Sequence, residues 1–166
     1  MSRVIVLIAL VFVCWQVSMS AQIPINRSEG LKMLKGCGTR PITLNCNEDT
    51  ADYIVKLYNR GDRTLLRPLL DAGLTSDGAL SELLGEFYSE VLSTRPRSFL
   101  SSLRSRPNRQ RRHLCRMAGF SDGGGMNDAT LRRVRISLLA LSSYKDGLSS
   151  IARRCLIEVD RAYAER

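Results

Sequence analysis

Ser76-Asp77-Gly78-Ala79-Leu80-Ser81-Glu82-Leu83-Leu84-Gly85-Glu86-Phe87-Tyr88-Ser89-Glu90-Val91-Leu92-Ser93 is the stretch whose reading decides the fold. Leu80, Leu83, Leu84, Phe87, Val91 and Leu92 recur at the three- and four-residue spacing of one helical face, and Glu82, Glu86 and Glu90 fall one turn apart on the other side. Eighteen residues of this pattern without strand alternation predict an amphipathic helix.

The same period extends in both directions. Towards the N-terminus, Leu65, Leu66, Leu69 and Leu70 repeat it up to Gly73, with Pro68 inside the segment predicting a kink or a restart. Before that, Ala51, Ile54, Val55 and Tyr58 form a helix that ends at Gly61, with Asn47 and Thr50 as its candidate caps. Residues 38–47 read as an extended loop, and 28–35 as a short helix capped by Asn26 or Ser28 and stopped by Gly36. Towards the C-terminus come two shorter helices over 97–104 and 108–118, each preceded or broken by proline. Gly123-Gly124-Gly125 then makes a flexible connection. Asn127 caps a helix carrying Leu131, Val134, Leu138 and Leu141, and the last helix carries Leu148, Ile151, Ala152, Cys155, Leu156 and Val159. Since no run alternates with strand period, the expectation is an all-α chain: a compact helical bundle or a short helical-hairpin stack of six to seven helices.

Residues 52–62, Asp-Tyr-Ile-Val-Lys-Leu-Tyr-Asn-Arg-Gly-Asp, resemble the second helix and exit of an ankyrin repeat, as Leu69-Leu70-Asp71-Ala72-Gly73 does more faintly. The two exits stand 12 residues apart, whereas that repeat needs about 33. Segments 48–73 and 76–106 also resemble HEAT-type helical hairpins, a likeness of fold that brings no functional motif.

Compartment is read from the first residues. Arg3 precedes an unbroken apolar run from Val4 to Val13, and Ser18-Met19-Ser20-Ala21 supplies small residues before Gln22. This is the pattern of a secretory signal peptide. The run is shorter than the roughly 20 residues that span a bilayer, so no transmembrane anchor is expected after cleavage. The organisation expected is a signal peptide at 1–21 and one all-helical domain at 22–166, with a short helix and disulfide loop at 22–47 and the helical core at 48–166. The localisation expected is secreted or periplasmic. Cys14 lies in the signal, and Cys37, Cys46, Cys115 and Cys155 remain. An even number in an exported chain implies two disulfides, with Cys37–Cys46 and Cys115–Cys155 as the expected pairing. No C-x-x-C pair points to zinc, and no metal or other cofactor is expected.

The formal charge is +9, from 25 basic and 16 acidic residues, and it is unevenly distributed. Residues 48–90 hold nine acids and four bases, whereas 91–116 hold eight bases and no acid: Arg95, Arg97, Arg104, Arg106, Arg109, Arg111, Arg112 and Arg116. Guanidinium groups present planar forks of donors to phosphate and carboxylate. The eight arginines are therefore the candidate anion-binding residues, facing an anionic polymer, lipid head groups or an acidic protein surface. The alternative is a solvated face paired with the molecule's own acids. Nucleic acid is the poorer candidate, because only Phe99 and Phe120 stand near as stacking platforms. Arg109-Gln110-Arg111-Arg112 also resembles a basic proteolytic processing site, and Asn26-Arg27-Ser28 has the form of a glycosylation sequon.

Catalytic signatures are scarce. The sequence holds no H-E-x-x-H, G-x-S-x-G or G-x-x-x-x-G-K-[ST]. His113, the only histidine, lies two residues from Cys115 and so points away from it on a helix. Glu82, Glu86 and Glu90 supply carboxylates one turn apart, from which a glycosidase-like acid pair could be drawn, and acids opposite an apolar stripe also serve solubility. The reading reached is a small exported, non-enzymatic helical binding protein. A secreted signalling or effector protein recognised by a receptor or host protein, and a cell-wall-active hydrolase using a carboxylate pair, stand as its alternatives.

Overall fold

The computed structural model describes residues 26–37, 48–119 and 127–165. Eight α-helices make up these segments: α1 (Arg27–Cys37), α2 (Glu48–Asn59), α3 (Leu66–Ala72), α4 (Gly78–Thr94), α5 (Pro96–Leu103), α6 (Asn108–Gly119), α7 (Asp128–Ser142) and α8 (Ser149–Ala164). One 3-10 turn, Arg63–Leu65, leads into α3, and no strand occurs among the described residues. The all-α class stands, with eight α-helices instead of six or seven. The signal segment, the 38–47 loop, the glycine triplet and Asn47 lie outside the described residues.

Local chemistry sets most boundaries. The Asn26 carboxamide oxygen accepts the Glu29 N–H at 3.0 Å, and Asn127 accepts the Thr130 N–H at 2.8 Å, so both asparagines cap their helices. Thr50 does not cap α2: the helix starts at Glu48 and Thr50 is buried in its first turn. At Pro68 the segment restarts: the Arg63–Leu65 turn gives way to α3 two residues before it. Pro68 is the third residue of α3, where its missing N–H has no intrahelical acceptor to lose. Pro96 opens α5 for the same reason.

α4 is the central element, packed against α2, α5, α6 and α7. Its buried arc is wider than a single stripe: Gly85 and Ser89 are covered together with Leu80, Leu84, Phe87, Tyr88, Val91 and Leu92. The small pair receives α6, and the Ser89 hydroxyl donates towards the carbonyls of Ala118 at 2.5 Å and Gly85 at 3.0 Å. An aromatic series crosses the core from α2 to α5. Tyr58 meets Phe87 edge-on at 5.1 Å, and Tyr88 stands 5.8 Å from both Phe87 and Phe99. Such contacts add about 0.5–1.5 kcal/mol each beyond area burial. The Tyr88 hydroxyl donates to the Leu69 carbonyl at 2.8 Å, tying α4 to α3.

α6 and α7 flank α4, and α8 closes the four-helix arrangement on the side away from it. α8 runs parallel to α6: Arg154 reaches Asn108 at one end, and Gly119 meets Val159 and Ala162 at the other. It runs antiparallel to α7, since Arg135 pairs with Asp160 at 3.2 Å and the Tyr163 hydroxyl donates to Asp128. Cys115 and Cys155 form the expected disulfide between α6 and α8, with Cα atoms 5.1 Å apart and both residues buried. It is the one cystine with both members among the described residues. Cys46, and with it the Cys37–Cys46 pairing, lies outside them, while Cys37 is buried at the end of α1.

Candidate anion-binding face

The arginine-rich segment 95–116 runs from the end of α4 through α5 and α6, and folding scatters its eight guanidinium groups. Arg106 leaves the surface. It is 8% exposed, and its Nη2 donates to Asp71 Oδ1 at 2.6 Å. The acidic half of the chain thus claims this arginine for itself, and a ligand has no access to it. Arg97 pairs with Asp146 at 3.1 Å and lies over the Tyr144 ring at 5.0 Å, and Arg116 pairs with Glu165. Arg104 lies against Gly147, between α7 and α8. Arg95, between α4 and α5, is exposed.

Arg109, Arg111 and Arg112 remain on α6. The Arg111 Nε donates to the Arg106 carbonyl at 2.7 Å, which fixes its direction, while Arg109 and Arg112 are exposed. Across the seam, Arg154 of α8 donates to the Asn108 carboxamide at 3.3 Å. Asn108, Arg111, Arg112 and Arg154 rim a small groove whose floor is Ile151 and the Cys115–Cys155 disulfide. No carboxylate lines it. Its enclosed space, about 20 Å³, holds about one water. The groove therefore suits docking of an anionic group on a surface rather than enclosure of an organic ligand.

Charge density along the chain does not single out Arg154, because its own segment contains acids. The signal that finds it is the disulfide. Linking Cys115 to Cys155 brings the turn before Cys115, with Arg111 and Arg112, beside Arg154. The tetrapeptide 109–112 is helical from end to end.

The carboxylate candidates part company. Glu82 is half-buried and shares an open groove of about 330 Å³ with Asp77, Ser81, His113 and Arg116, whereas Glu86 and Glu90 are exposed and do not line it. His113 Nε2 lies 3.0 Å from the Gly73 carbonyl, which can only accept, so this nitrogen carries the proton. Cys115, being in the disulfide, has no thiol to offer His113. Among the described residues no cluster of three His, Cys, Asp or Glu could hold a metal ion, and no helix is long and apolar enough to cross a membrane. No family model, curated protein or solved structure matches the chain.

Proposed function

We propose that this is an exported binding protein that docks an anionic polymer on the α6–α8 seam, with Arg109, Arg111, Arg112 and Arg154 as the contact residues and no chemical step. The observation that carries the reading is a groove rimmed by three guanidinium groups and a carboxamide with no carboxylate in its lining. Two of these guanidiniums are already oriented by carbonyl acceptors, so little side-chain freedom remains to be lost on contact. The apolar start of the chain supports export.

Retention on immobilised heparin, a sulfated polymer, tests this. The protein should bind, and affinity should fall steeply between about 50 and 200 mM salt as counterions are released. Arg109→Gln/Arg112→Gln should weaken binding and flatten the log–log salt slope by about two, one per phosphate-like contact removed. Equal retention and equal slopes for the two proteins would overturn the assignment.

A further inference from the structure

A different face of the molecule carries apolar side chains with no internal use. Ile136 and Leu139 of α7 and Ile157 of α8 are 61%, 53% and 57% exposed. The Arg135–Asp160 pair sets the register of these antiparallel helices. Moving four residues on from Arg135 and four back from Asp160 places Leu139 abreast of Leu156 and Ile157, so the three aliphatics share the middle of the α7–α8 pair. The same register puts Arg132 towards one end of the pair and Arg153 towards the other. Both arginines are exposed, and neither has an ion pair among the described residues. Ten residues of helix separate the two ends, about 15 Å. Two acids lie on this face: Asp160 is engaged by Arg135, and Asp128, which shares a groove with Arg132, Arg135 and Ile136, accepts from the Tyr163 hydroxyl.

We infer that the outer face of α7 and α8 rests on an anionic lipid surface, with Ile136, Leu139 and Ile157 entering the interfacial layer and Arg132 and Arg153 meeting lipid phosphates. Charge complementarity selects the occupant. A second copy meeting this face two-fold would set Arg132 and Arg153 of each copy against those of the other, with Asp128 the one acid of the face that has no ion pair among the described residues to offset them. The aliphatics are more than half exposed, and Ile136 edges a wide, open groove rather than a closed cleft. Protruding apolar groups suit a fluid phase that needs no complementary shape, and two helices side by side can lie in the plane of the interface. α8 packs chiefly on α6 and α7, and the exposure of Ile136, Leu139 and Ile157 leaves this face open to approach.

The test is co-sedimentation of the full chain with vesicles of phosphatidylcholine alone or with about a third phosphatidylserine, a fraction that sets up an attractive surface potential. Wild type should partition preferentially onto the anionic vesicles, and added salt should weaken it. Ile136→Ser/Leu139→Ser/Ile157→Ser should lower that partitioning by more than about tenfold while circular dichroism and heparin retention stay unchanged. Arg109→Gln/Arg112→Gln, which disables the polymer site, should still respond to the three serine substitutions. Failure of the heparin test therefore does not entail failure here. An Ile157→Trp protein that also carries Trp15→Phe gives a second readout, since its single tryptophan should shift its emission to the blue on anionic vesicles. Equal partitioning of wild type and the triple variant, or no emission shift, would overturn the inference. So would a face that binds soluble polyglutamate through the same aliphatics and ignores vesicles, because the occupant would then be an acidic protein.

Discussion

Arg106→Gln should destabilise the fold, although eight arginines in a row of 26 residues look interchangeable. The Arg106 side chain is 9% exposed and that of Asp71 is 56% exposed, so the desolvation falls almost entirely on the guanidinium. A fully buried pair broken on one side costs about 3–5 kcal/mol, and a fully exposed one about 0–1 kcal/mol. A charge-assisted hydrogen bond with one wet partner lies between, at about 1.5–3 kcal/mol. Arg106→Gln loses that bond and part of the packing of its stem. Asp71→Asn leaves a buried cation with a neutral acceptor. Each should lower stability by about 2 kcal/mol, and the double variant should fall short of the sum by about 1 kcal/mol because the two residues share one interaction. Urea unfolding followed by circular dichroism reads this directly. With a slope of about 1–3 kcal/mol/M, each single variant should move the midpoint by about 1 M. Arg109→Gln, at an exposed site, should stay within about 0.5 kcal/mol of wild type. If Arg106→Gln and Arg109→Gln unfold at the same urea concentration, the internal role of Arg106 is refuted.

Gly119→Ala should destabilise by about 1–3 kcal/mol: its Cβ would fall 2.5 Å from the Val159 carbonyl oxygen and 2.8 Å from the Val159 Cα, backbone that yields only if α6 and α8 separate. Thermal melting checks it, and an unchanged midpoint would show that the helices part freely there. Replacing Cys115 and Cys155 by serine opens a crosslink spanning 40 residues, for which chain entropy predicts a loss of about 4 kcal/mol. Without reductant the variant should melt well below wild type, and an unchanged midpoint would refute the crosslink's contribution. Burial holds the Tyr88 phenol well above the usual tyrosine range, against the attraction of Arg106. In the unfolded chain the phenol ionises near pH 10; stability from this group is therefore complete below about pH 10 and falls as pH rises beyond it. Tyr88→Phe should cost about 1 kcal/mol at neutral pH and lose less than wild type on going to alkaline pH. A urea midpoint that falls equally in both proteins would contradict this.

The helices were legible because helical periodicity is a local property. The stripe through Leu80, Leu84, Phe87 and Val91 is set by residues within one segment, as are the asparagine caps at 26 and 127. Packing that depends on small residues was not legible. Gly85 and Ser89 break an apolar pattern, yet they are covered because α6 comes close enough for Ser89 to reach the Ala118 carbonyl. The candidate site fails to follow the sequence for a related reason. An arginine's surroundings are decided by its carboxylate partner, and the partners here are remote: Asp71 lies 35 residues from Arg106, Asp146 lies 49 from Arg97 and Glu165 lies 49 from Arg116. Contiguous charge in the chain thus becomes dispersed charge in space, while Arg111, Arg112 and Arg154 converge from separate helices. The remedy is also local. A disulfide bringing two helices side by side fixes which of their turns are neighbours, so the Cys115–Cys155 pairing with a 3.6-residue period already brings Arg154 to Arg111 and Arg112. The same construction, applied to the Arg135–Asp160 pair, sets Leu139 beside Ile157. A single long-range constraint converts helical periodicity into a surface, and both proposed contact faces of this protein are of that kind.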